Sequence, residues 1–167
     1  MGLGYLYTKY TFLAVLAVVT IALKLPIQEF GIYFGILLIV GVALTTIYLF
    51  LHFDENINQK LIIELGIDAF TGLVIFTTPE PTIRFFMLDF SFWIAVMGML
   101  HFTSGLYDHK DSKAFWIYII SGIMFIIFGF IILNYSSDYL GSVMYLIGIV
   151  LAYFSFLNIY MLRKNKS

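Results

Sequence analysis

Residues 61–107 read LIIELGIDAFTGLVIFTTPEPTIRFFMLDFSFWIAVMGMLHFTSGLY, and this stretch decides the fold. Two long apolar runs flank the turn-forming segment TTPEP at residues 77–81. A bilayer core about 30 Å thick is crossed by roughly 20 apolar residues in a helix. The stretch therefore predicts a hairpin of two transmembrane helices rather than part of a soluble domain.

The composition extends this interpretation to the whole chain of 167 residues, which is 62% hydrophobic and 11% charged. A soluble domain of this size needs more charge on its surface. The net charge of −1 supplies no basic surface, so we expect no nucleic-acid partner. Cysteine is absent and the three histidines form no H-E-x-x-H motif, which predicts no metal site. We see no cofactor motif and no catalytic constellation, and we expect a protein that is not an enzyme.

Six stretches have the length and apolar character of a membrane span. We predict an all-α integral membrane protein with six transmembrane helices in a single membrane domain, its main partner being the lipid bilayer. The predicted spans are residues 10–26, 30–53, 61–78, 85–107, 114–135 and 139–162.

The basic residues predict the orientation, because Lys and Arg in short loops stay on the cytoplasmic side. Seven of the nine lie on one side of the predicted spans: Lys9, Lys60, Lys110, Lys113, Arg163, Lys164 and Lys166. Lys24 and Arg84 lie on the other side. We therefore expect both termini in the cytoplasm, in agreement with an even number of spans.

The chain divides into three similar hairpins, at about residues 1–55, 56–111 and 112–167. A small or apolar residue is followed seven positions later by a turn residue in each hairpin, namely Val19 and Pro26, Gly72 and Pro79, and Gly129 and Ser136. Small residues let neighbouring helices approach closely in a membrane. We expect helix packing at Gly31, Gly35, Gly72, Gly98, Gly105 and Gly129, and the Gly31–Gly35 face is one possible contact for a homo-oligomer.

These features resemble the HdeD-like membrane proteins, a family of six-span proteins built from short repeated hairpins. The resemblance is carried by the spacing of Gly72 and Pro79, the spacing of Gly98 and Gly105, and the threefold layout. Val19 and Ser136 depart from the pattern, in which Gly and Pro would stand there. The resemblance implies a bacterial inner-membrane protein with a role in acid resistance, whereas most relatives have no assigned biochemical activity.

Four ionisable residues lie well inside the predicted spans, where a charge is costly: Glu64, Asp68, Asp89 and His101. Glu64 and Asp68 are four residues apart and share one helix face, with Lys60 one turn earlier. Asp68 and His101 have similar predicted depths on adjacent helices, so if their faces converge we expect them to share a proton or to form an ion pair. We predict a structural ion pair between Arg84 and Asp89.

Two functions are compatible with these patterns. The first is a non-enzymatic membrane protein that contributes to resistance against acid or envelope stress. The second is a small proton-linked transporter or channel that uses Glu64, Asp68 and His101 as an intramembrane polar site. For each of these residues the alternative is a purely structural role, such as pairing of Glu64 with Lys60 or packing of a neutral His101.

Overall fold

The structure is a computed structural model that describes residues 4–52, 59–78, 82–107, 114–135 and 140–164. Within these ranges it contains six α-helices and no strand. The helices are α1 (Gly4–Leu23), α2 (Ile27–Leu51), α3 (Gln59–Thr77), α4 (Ile83–Tyr107), α5 (Phe115–Leu133) and α6 (Leu140–Lys164). The predicted all-α fold is confirmed, and each helix overlaps one predicted span. The proposed turn residues Pro79 and Ser136 and the basic residues Lys110, Lys113 and Lys166 lie outside the described residues.

Five of the six helices, all except α3, are long and apolar enough to cross a membrane. Helix α3 is 19 residues long and carries Lys60, Glu64 and Asp68, which lower its apolar character. The multi-pass character expected from the sequence therefore rests on α1, α2, α4, α5 and α6. Membrane crossing by α3 stays a prediction.

A tight turn joins α1 to α2. The backbone N–H of Leu25 donates to the carbonyl of Thr20 at 3.4 Å, and Lys24 has a positive φ of 51°. This is the Schellman arrangement that ends many helices, in which the residue after the cap adopts the left-handed conformation. Pro26 follows with φ −59° as the N-cap residue directly before α2, and its ring fixes this φ.

The most extensive helix packing joins α4 to α5, α1 to α6, and α2 to α3. Each of these pairs combines helices from two different predicted hairpins. The two helices within each predicted hairpin pack less extensively against each other, namely α1 with α2, α3 with α4, and α5 with α6. The bundle is thus a closed ring in which α1 and α6 meet. Aromatic side chains fill its centre, with Trp93, Phe34 and Phe154 almost fully buried.

Glycines allow the close approach of α4 and α5. A Cβ atom at Gly98 would lie 2.7 Å from the carbonyl oxygen of Gly122, and one at Gly122 would lie 2.6 Å from the backbone nitrogen of Phe102. Because these neighbours are backbone atoms, no side-chain rotation relieves the overlap. The six glycines expected to pack all lie against another helix, and Gly122 is a further one that the sequence analysis did not include.

The Gly31–Gly35 face is occupied within the chain, which corrects the expectation of a dimer contact there. Both glycines are buried. The Phe86 ring of α4 contacts Gly31, and Ile75 of α3 lies against Gly35. Helices α3 and α4 of the same chain cover this face of α2, so it is not open to a second copy of the chain.

Candidate functional site

A buried lysine is the centre of the candidate site. Helix α1 begins six residues before the predicted span, so Lys9 lies within the helix and exposes only 2% of its surface. Its aliphatic stem passes α2 at Gly41, where a Cβ atom would come within 3.2 Å of Lys9 Cγ. Glycine at position 41 therefore provides the space for the lysine side chain to enter the bundle.

The ammonium group of Lys9 contacts two carboxylates of α3. Lys9 Nζ lies 2.6 Å from Glu64 Oε1 and 2.6 Å from Asp68 Oδ2. The contact to Glu64 is a hydrogen bond as well as an ion pair, whereas the contact to Asp68 Oδ2 is an ion pair. Glu64 and Asp68 reach one ammonium because their spacing of four residues places both on one helix face. Lys9, Glu64 and Asp68 are named the ion cluster below.

Two aromatic side chains donate further hydrogen bonds to the ion cluster. The Tyr10 hydroxyl donates to Glu64 Oε1 at 2.6 Å, and the Trp93 indole N–H donates to Asp68 Oδ1 at 2.9 Å. Tyr10 lies next to Lys9 on α1, and Trp93 comes from α4. Hydrogen bonds to ionised groups are short and strong, and they offset part of the cost of burying charge.

The ion cluster has a formal charge of −1 when all three groups are ionised. One proton on either carboxylate would make it neutral, and a buried net charge is unfavourable. Lys60 lies one turn before Glu64 on α3, and its ammonium is 5.1 Å from the centre of the Tyr118 ring of α5. With Lys60 included, the two ammonium groups and the two carboxylates sum to zero when all are ionised, so a proton on either carboxylate changes the balance of charge around α3.

His101 lies in a separate polar network between α4, α5 and α6. Its Nδ1 is 3.4 Å from Ser121 Oγ, and its Nε2 is 3.3 Å from Asn158 Oδ1. The Asn158 amide nitrogen donates to the carbonyl of Phe154, which leaves the amide oxygen Oδ1 facing His101. Because an amide oxygen only accepts hydrogen bonds, Nε2 of His101 is the donor in this contact. His101, Ser121 and Asn158 are named the His101 network.

The structure does not bring Asp68 and His101 into contact, so neither the shared proton nor the ion pair considered from the sequence is supported. Trp93 and Phe154 lie between them. The Trp93 and Phe154 ring centres are 4.9 Å apart, and Phe154 stacks on the His101 ring at 5.8 Å. Similar depth gives only the height of each side chain along its helix. Contact also requires that both helices are rotated so that the two side chains face each other.

The predicted ion pair between Arg84 and Asp89 is wrong in the structure, which describes both residues. Arg84 is exposed, Asp89 is buried, and no ion pair joins them. Five residues correspond to a rotation of about 140° around a helix, so the two side chains leave α4 in different directions.

Lys9 is the residue that sequence reasoning missed. The sequence pattern places it in a cytoplasmic tail, because it precedes the first uninterrupted apolar run. The available signal was an unbalanced charge: Glu64 and Asp68 enter the membrane on one face, which calls for a nearby cation. Among the described residues no group of three acidic or histidine side chains is placed to hold a metal ion.

Comparison with known proteins gives one family match. The model of a family described as a short repeat of unknown function (DUF308) matches residues 66–134, which is less than half of the chain. This family includes the HdeD-like membrane proteins. No curated protein and no solved structure matches the chain. Together with the five apolar helices, the match indicates a multi-pass membrane protein that is similar to this short repeat over part of α3, α4 and α5.

Proposed function

We propose that the chain is a non-enzymatic, six-span protein of the bacterial inner membrane that contributes to resistance against acid or envelope stress. In this proposal both termini are cytoplasmic, the chain is made of three hairpin repeats as in HdeD-like proteins, and the ion cluster is the part that responds to acid. The single observation that carries the proposal is a buried group of two carboxylates and one ammonium.

The charge of the ion cluster supports a response to protons. With both carboxylates ionised the cluster is at −1, and with one proton bound it is neutral. Loss of a carboxylate charge also removes one of the two partners of Lys9. Proton binding therefore changes the attraction between α1 and α3 without leaving an unpaired ammonium.

The position of the ion cluster supports a role in holding α1 to α3. Within the described residues, α1 and α3 share little backbone packing, because α2 lies between them. The ion pairs of Lys9 with Glu64 and Asp68 span this gap past Gly41. A proton that weakens one of these pairs would loosen the connection of α1 to the rest of the bundle.

The stress role is tested by acid survival of a deletion strain of the source organism. We expect lower survival than in the parent, restored by the wild-type gene and not by Asp68→Asn. Glu29→Gln is the matched control, because it removes a carboxylate from an exposed position in the first turn of α2. Equal amounts of each variant in the membrane are verified first. A deletion strain that survives as well as its parent contradicts the proposal.

A second candidate is a proton-linked transporter or channel that uses Glu64, Asp68 and His101. Two buried hydroxyls favour it: Thr45 Oγ1 and Thr71 Oγ1 have no hydrogen-bond partner among the described residues. Thr20, also buried, instead donates to the carbonyl of Leu16. Thr71 is three residues after Asp68 on α3, so its hydroxyl supplies a further polar group beside a proton path.

Proton flux into liposomes that contain the purified protein distinguishes the two candidates. A transporter or channel gives a flux above that of empty liposomes, and Asp68→Asn reduces it. Glu29→Gln keeps the wild-type flux. Liposomes with no flux, together with lower acid survival of the deletion strain, favour the stress role without transport.

A further inference from the structure

An apolar groove of about 470 Å³ lies between α3, α4 and α5. Its wall includes the side chains of Phe70, Phe92 and Phe130, each of which is about half exposed on the outside of the bundle. The Phe70 and Phe92 rings meet edge to face with centres 6.1 Å apart. The groove is separate from the ion cluster, since Lys9, Glu64 and Asp68 do not line it.

Asp89 is the charged residue of this groove. It exposes 5% of its surface, and within the described residues it has neither a hydrogen bond nor an ion pair. Ser91, the other polar side chain of the wall, donates its hydroxyl to the carbonyl of Met87 at 2.5 Å. An acidic side chain nine-tenths buried thus faces an apolar cleft without a cation.

The groove has the features that bind an apolar body with a positive charge. An ionised carboxylate among apolar side chains is stabilised by a bound counter-charge, and aromatic rings attract cations. Clefts of roughly 300–1,000 Å³ accept small organic ligands. A lipid acyl chain would fill the apolar space but leave the carboxylate without a counter-charge.

We propose that the groove between α3, α4 and α5 binds a lipophilic organic cation, with Asp89 as its counter-ion and the phenylalanine rings around its apolar body. The ligand enters from the lipid side, where these rings are exposed. This binding site goes beyond the role proposed for the ion cluster and does not depend on it.

Two probes of equal shape and opposite charge test the proposal. Tetraphenylphosphonium is a lipophilic cation, and tetraphenylborate is its anionic counterpart. Binding of radiolabelled tetraphenylphosphonium to the purified protein is measured by equilibrium dialysis in a mild detergent. Radiolabelled tetraphenylborate is measured in a separate dialysis, because the two ions would pair in one solution. We expect saturable binding of tetraphenylphosphonium, displaced by the unlabelled cation, and no saturable binding of tetraphenylborate. Absence of saturable tetraphenylphosphonium binding, or equal saturable binding of both probes, overturns the proposal.

Variants of the groove locate the site. We expect Asp89→Asn to weaken tetraphenylphosphonium binding at least about tenfold, because the counter-ion is lost, whereas Asp89→Glu retains binding. Val74→Trp keeps Asp89 and fills the groove, so it also weakens binding. Glu29→Gln is the control for loss of one carboxylate elsewhere. Binding that is unchanged in both Asp89→Asn and Val74→Trp places the cation outside this groove and overturns the proposal.

Discussion

The ion cluster and the His101 network are both buried, both polar and both in contact with α4, yet they are built differently. The ion cluster joins charged groups over 2.6 Å and is completed by the Tyr10 and Trp93 donors. The His101 network joins hydrogen-bonding groups over 3.3 and 3.4 Å. Removal of one partner thus has very different consequences in the two regions.

The consequences differ because a different kind of group stays buried without its partner in each region. Deletion of one partner in the ion cluster leaves a buried charge without compensation, which is among the largest penalties a substitution produces. Deletion of one partner in the His101 network leaves a weak hydrogen bond unmade, and such bonds contribute little between membrane helices. We therefore expect proton-dependent behaviour to reside in the ion cluster and orientation of α4, α5 and α6 to reside in the His101 network.

Lys9→Met should have the largest effect. It leaves the Glu64 and Asp68 carboxylates buried without a cation, and we expect a loss of about 3–5 kcal/mol in the free energy of unfolding. The measurement is thermal or denaturant unfolding in a mild detergent, followed by circular dichroism.

Lys24→Met is the control for Lys9→Met, because it removes the same charge from an exposed position. The combined variant Lys9→Met, Glu64→Gln and Asp68→Asn should regain much of the stability, since no uncompensated charge remains. Equal stability of Lys9→Met and Lys24→Met would show that the ion cluster does not hold the bundle together.

Gly122→Ala should have the next largest effect, on the side of the His101 network. The added methyl group would meet backbone atoms of α4 and push α5 away, with an expected loss of up to about 3 kcal/mol. Gly66→Ala is the control, because no atom of a neighbouring helix lies within 4 Å of a Cβ there. Unfolding in detergent compares the two, and a loss that is as large in Gly66→Ala would contradict the close approach of α4 and α5.

Trp93→Phe should weaken the ion cluster without changing its charge. Phenylalanine keeps an aromatic ring at the centre of the bundle but removes the N–H donor of Asp68 Oδ1, for an expected loss of about 1–2 kcal/mol. Trp116→Phe is the matched control, since Trp116 is exposed. Indistinguishable unfolding midpoints for the two variants would mean that the indole bond to Asp68 contributes nothing.

Ser121→Ala should have the smallest effect. It removes the 3.4 Å contact with His101, and we expect a loss of roughly 0.6 kcal/mol, typical of hydrogen bonds between membrane helices. Ser155→Ala is a buried control whose hydroxyl bonds to the carbonyl of Leu151 in its own helix. A loss as large as that of Lys9→Met would remove the distinction between the two regions.

Much of the fold could be predicted, because the solvent imposes it. A helix that crosses lipid must be long and apolar, so spans are visible in the sequence as uninterrupted runs. The same criterion placed the start of the first span after Lys9, since a charged residue ends an apolar run. The structure extends α1 to Gly4 because a buried partner on α3 compensates the lysine charge.

Contacts between side chains of different helices were predicted less well. Glu64 and Asp68 could be placed on one face because helix geometry fixes neighbours four residues apart. Pairing of Asp68 with His101 could not be decided in the same way, since it depends on the rotation and order of the helices in the ring. The same holds for the Gly31–Gly35 face, which Phe86 and Ile75 cover.

The sequence by itself determined the solvent, the helical class and the residues whose charge requires compensation, because these follow from local composition and from the geometry of one helix. The tertiary structure alone decided that Lys9 compensates Glu64 and Asp68, that aromatic side chains separate Asp68 from His101, and that Asp89 faces an apolar groove. The physical reason is that each of these contacts joins residues far apart in the chain, and their meeting depends on how six helices pack together.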